Sequence, residues 1–153
     1  MRITIQVKKI MKLLSFTTVF LLALSGFVFA GDSPSPKSAE VYFVNLADKQ
    51  EIESPFRVVF GLRGMGVAPA GVDNKAFKHI GHHHLFINAV LTDEIRNSFI
   101  PFNDQHRHFG KGQTETELDL PPGKYTLMLV FGDPYHAVHN PVVASEKITI
   151  EVK

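Results

Sequence analysis

The chain has 153 residues, 44% hydrophobic and 20% charged, with no Cys, no Trp and a formal net charge of +1 when His is neutral. That is the composition of an ordinary globular protein of one domain, and the missing Cys excludes disulfide staples and thiol chemistry. The positive excess sits in the first thirty residues, which hold Arg2, Lys8, Lys9 and Lys12 and no acid; beyond them 12 Lys+Arg face 15 Asp+Glu, a net charge of about −3, which excludes the basic face a nucleic-acid binder needs.

Residues 1–30 read as a secretory signal peptide: a basic start, an apolar run from Leu13 to Phe29, and Val28-Phe29-Ala30 as a cleavage site. A retained anchor is the alternative, because about 17 apolar residues is the lower edge of a membrane span. Cleavage implies a periplasmic or secreted protein with no stable membrane insertion. Residues 31–38, GDSPSPKS, offer nothing apolar to bury and read as a flexible linker. The folded domain is expected over 39–153.

Within it, short runs of alternating polarity separated by Gly, Pro, Asn and Asp predict strands at 40–45, 56–62, 82–90, 114–120, 123–131 and 146–152, with a short seventh near 98–102. The stretch 63–78 reads as a long loop. Leu120-Pro121-Pro122-Gly123 predicts a tight turn joining two antiparallel neighbours. Strand count and spacing point to an all-β fold, an immunoglobulin-like β-sandwich, with a small Greek-key barrel as the competing architecture.

All eight histidines fall between 79 and 139. Strand parity places His82 and His84 on one side with Phe86, and His83 on the other with Leu85 and Ile87. His106 and His108 repeat the i, i+2 spacing, and His136 and His139 follow Asp133-Pro134 in a loop. Imidazole is the commonest nitrogen ligand of transition metals, and three or four rings around one ion suffice without thiolate. The metal candidates are therefore His82, His84, His106, His108, His136 and His139, with copper or zinc as the ion and His79 set aside. A pH-sensing cluster and incidental loop or core histidines are the other readings. Met65, between two glycines, is a candidate thioether ligand for Cu(I) or a gap filler. Asp133 is a candidate ligand, an orienting partner for a histidine, or a turn residue. Gly110-Lys111-Gly112 lacks the strand and helix of a phosphate loop and reads as a turn. No nucleophile elbow is present.

Four blocks, GHHHLFIN (81–88), HRHFGKGQTE (106–115), LPPGKYTLMLVFGD (120–133) and HAVHNPVVASEKITIEV (136–152), with the GMGVAPAG segment at 64–71, resemble the DUF4399 family of exported bacterial proteins of unknown function. The resemblance covers nearly all of 39–152. It marks His82, His83, His84, His108, Gln113, Asp133, His136 and His139, and less strictly His106, while Asn88, Val138 and Asn140 replace the family's Asp, Pro and Asp.

The expected function is a metal-binding module of the bacterial periplasm. Two alternatives stand beside it: a metal-free envelope sandwich that binds a ligand or protein, and, by fold analogy alone, a copper-dependent redox enzyme of superoxide-dismutase type. The latter lacks its disulfide here, and catalysis is not the favoured expectation.

Overall fold

The computed structural model describes residues 33–73 and 75–153; the signal segment expected at 1–30 lies outside the described residues. In chain order the elements are β1 (Glu40–Phe43), β2 (Gln50–Ile52), β3 (Phe56–Arg63), β4 (Gly66–Val67), β5 (Ile80–Ile87), α1 (Asp93–Arg96), β6 (His106–His108), β7 (Glu115–Leu118), β8 (Gly123–Gly132) and β9 (Ile148–Val152). The all-β expectation holds. Among the described residues no helix is long and apolar enough to cross a membrane.

Two sheets form. One runs β1-β3-β7; the other runs β2-β9-β8-β5-β4, with β6 also paired to β5. Alternation explains how they face each other: Val58 and Phe60 of β3 and Leu118 of β7 meet Leu85 and Ile87 of β5, Leu127, Leu129 and Phe131 of β8, and Ile148, Ile150 and Val152 of β9 in one buried core. Each side chain of that size contributes about 1.5–3 kcal/mol when fully buried.

The second face of the larger sheet is also covered, and this positions the site. Phe86 and Val130 point away from the main core and pack with Ile95, Ile100 and Val138 in a smaller cluster. Their cover is the chain between β5 and β6, including α1, whose first turn is capped by Thr92 Oγ1 accepting from Ile95 N at 3.3 Å. Hence every residue of β5 from Gly81 to Ile87 is buried, although an antiparallel strand commonly leaves one face wet.

The differences from the expected elements have local causes. Leu120-Pro121-Pro122-Gly123 does not close a hairpin: β7 pairs with β3, whereas β8 pairs with β5 and β9, so this segment crosses between sheets. Two consecutive prolines donate no backbone N–H to a ladder. The expected 82–90 strand ends at Ile87 because Asn88 turns left-handed, with φ of 53°. The short β2 and β4 are parallel additions to β9 and β5, and β4 lies inside the stretch read as loop. The expected strand near 98–102 is reduced to one bridge, Phe99 to Ala137.

The linker expected over 31–38 is docked where it is described. Pro34 bridges Asn140, Ser35 N donates to Asn140 O at 3.2 Å, Asn140 N donates to Ser33 O at 2.9 Å, and Ser33 and Ser35 are buried. The segment is held by hydrogen bonds, which apolar patterning does not reveal.

Candidate metal centre

The ladder between β5 and its neighbours places the first three rings. His84 lies opposite His108 on β6 and opposite Val130 on β8, and His82 lies opposite Gly132. Directly opposed residues share a face, so His82, His84 and His108 all project from the outer face of the larger sheet. His136 joins them from the turn after β8.

That turn is built by Asp133. Its Oδ1 accepts from Tyr135 N and Ala137 N, each at 2.8 Å, its Oδ2 accepts from Ser33 Oγ at 2.5 Å, and its backbone O accepts from His136 N at 3.0 Å. His136 is held at φ of 70°, a left-handed backbone uncommon outside glycine and of the kind that clusters at ligand-binding sites. Asp133 thus acts as a turn residue and holds His136 through the backbone. Asp133→Ala removes three bonds to a buried carboxylate and is expected to lower metal affinity by about 10–100-fold, as loss of an orienting partner does. Parallel melting curves with and without Zn(II) check this by separating lost affinity from lost stability.

Ring nitrogens of His82, His84, His108 and His136, one from each, all lie within 4.8 Å of one another, an arrangement that could hold a metal ion. Ring centroids are 4.5 Å apart for His82 and His84, 4.4 Å for His84 and His108, 4.8 Å for His108 and His136, and 4.9 Å for His82 and His136. Nitrogens bound tetrahedrally at 2.0–2.1 Å to one ion stand about 3.4 Å apart. An ion at their centre would draw the wider pairs closer together. Gly132 leaves the room: a Cβ there would meet His84 Cε1 at 2.8 Å and Ile100 Cδ1 at 3.0 Å.

Protonation favours ligation. Burial pushes His82 down to about 4, helped by the neighbouring His136 and His108, with Asp133 opposing. His84 lies well below the ordinary value for the same leading reason, with His82, His108 and His136 adding to it. His108 is also lowered by burial. Its Nε2 stands 2.6 Å from Pro101 O; a carbonyl only accepts, so Nε2 carries the hydrogen and the Nδ1 lone pair is left for an ion. Both ring nitrogens of His82 and of His84 are buried without a hydrogen-bond partner. Such orphans each destabilise a fold by about 1–3 kcal/mol, and a cation answers several at once.

Two of the six sequence candidates fall outside the group. His106 does share the face of His108, but it lies opposite Phe86, stacks on that ring edge to face at 4.5 Å, and its Nδ1 is 2.9 Å from Asn103 Oδ1. Its ring is therefore taken up by Phe86 and Asn103 and does not join the cluster of His82, His84, His108 and His136. His139 lies three positions beyond the left-handed turn at His136 and stands outside the group. It stacks on Phe131 with centroids 5.9 Å apart, and its Nδ1 is 3.1 Å from Ser33 O.

His83 faces the main core, as parity predicts, between Phe60 at 5.1 Å and Phe131 at 5.2 Å. Burial pushes it down to about 4, against a weaker pull from a nearby Gln113 backbone group that falls short of good hydrogen-bond geometry, so neither nitrogen is well paired. Orphaning alone therefore does not define the centre; convergence of four rings does. Met65 packs against the main core. Gly110-Lys111-Gly112 is a turn, closed by Gly112 N donating to Phe109 O at 3.0 Å. The supports that sequence reading missed are Gly132 and the Pro101 carbonyl, and neither carries a motif.

Residues 58–153 match the family described as Domain of unknown function (DUF4399). No curated protein and no solved structure matches the chain.

Proposed function

The chain belongs to the DUF4399 family, whose description names no activity, and we propose that it is an exported module binding one transition-metal ion through His82, His84, His108 and His136. The observation that carries this is the convergence of four buried or half-buried imidazoles with nitrogens within 4.8 Å of one another. Lowered basicity keeps the rings of His82, His84 and His108 neutral near pH 7, the state that ligates a metal. An all-nitrogen set suits copper or zinc. The site belongs to an immunoglobulin-like sandwich that works in the periplasm or outside the cell once residues 1–30 are removed.

Calorimetric titration of tag-free, metal-free protein with Zn(II) and with Cu(II) tests the reading. One ion per chain is expected, with His106→Ala and His139→Ala binding as the parent does. A parent that takes up neither ion contradicts the proposal, and loss of uptake in His106→Ala contradicts the ligand set.

A further inference from the structure

The metal centre is sealed on one side only. His82 and His84 are fully buried, whereas His108 and His136 are half-buried and form the floor of a cleft of about 510 Å³. That volume falls within the range of small-molecule sites.

Above the two imidazoles the walls are Phe99, Ile100, Phe102 and Tyr135. Phe102 is 82% exposed and Tyr135 50%, so aromatic surface stands in water around the mouth. Phe102 also meets the His108 ring edge to face at 5.1 Å, which ties this wall to a metal ligand. Gly110 lines the same cleft, and even a Cβ built there would be only 3.9 Å from His82 Nε2.

Charge selects the occupant. Among the residues lining the cleft there is a cation, Lys111, and no carboxylate; a bound divalent ion adds positive charge at the floor. Flat rings on the walls favour a flat apolar body. Resting on the metal reading, we infer that this cleft binds a small organic monoanion: its carboxylate reaches the metal as an added donor beside Lys111, and its planar apolar body packs between Phe99, Phe102 and Tyr135.

The test uses the full domain loaded with Co(II), whose visible bands respond to a change of donors, and benzoate as the probe. Benzoate is expected to shift the bands saturably. Acetate, which lacks the flat body, binds about tenfold more weakly, and benzylammonium leaves the bands unchanged. Phe99→Ser and Lys111→Met each weaken benzoate by about five- to tenfold with cobalt loading unaltered. A Co(II)-loaded protein whose spectrum ignores benzoate, or variants that bind benzoate as the parent does, overturns the cleft proposal and leaves metal binding standing. A protein that takes up no cobalt overturns both.

Discussion

Replacing His84 by Leu is expected to raise the melting temperature of the metal-free domain and, in the same protein, to abolish the rise that Zn(II) or Cu(II) gives the parent. The two effects have opposite signs because His84 serves the ion and burdens the empty fold. Its ring is fully buried with neither nitrogen hydrogen-bonded. Replacing an unsatisfied buried polar group by an apolar one of similar size removes a penalty of about 1–3 kcal/mol, worth several degrees in a domain of this length. The ion's contribution to the parent is about 4 kcal/mol when free metal exceeds the dissociation constant a thousandfold, and loss of a direct ligand removes most of it. His82→Leu is expected to behave likewise. A His84→Leu domain that is less stable than the parent without metal, yet equally stabilised by it, contradicts the assignment of His84.

The second large effect is acid unfolding of the metal-free domain. His82 and His83 sit at about 4 in the folded chain, against 6.5 when exposed, and His84 lies well below its ordinary value. Above pH 6.5 both states hold these rings neutral and nothing is lost. As the pH falls from 6.5 towards 4 the unfolded chain takes up protons that the folded chain refuses, so stability falls across that window and levels off below it. At 1.36 kcal/mol per pKa unit, the lowered values of His82 and His83 together remove on the order of 5 kcal/mol, and His84 adds to this. A typical domain has about 5–15 kcal/mol in total, so unfolding before pH 4 is expected. Circular dichroism during acid titration checks it: the parent unfolds cooperatively within the window, His83→Leu moves the midpoint down, and Zn(II) does the same by binding the folded state. A metal-free parent still folded at pH 3.5 contradicts the account.

Much of this was legible in the residues because strand parity is rigid. His82 and His84 on one face and His83 on the other follow from their order, and each is found so. The i, i+2 pairing of His106 and His108 was equally visible, but which of them meets His84 depends on register with another strand, and register is set by tertiary packing. His136 and His139 lie in the loop after β8, where the left-handed turn at His136 sets the ring directions, so spacing alone does not tell which of them meets the cluster. The crossing at Pro121-Pro122 was missed because turn chemistry tells where the chain reverses and not which sheet it enters next. Docking of Ser33 and Ser35 rests on hydrogen bonds to His139, Asn140, Pro141 and Asp133, partners more than a hundred or just a hundred residues away, beyond any local pattern.

X-ray absorption on the Zn(II)-loaded domain addresses the central claim most directly. The four-histidine centre predicts one zinc per chain with four nitrogen neighbours at about 2.0–2.1 Å and the outer scattering of imidazole rings. A first shell of oxygen without imidazole scattering contradicts it.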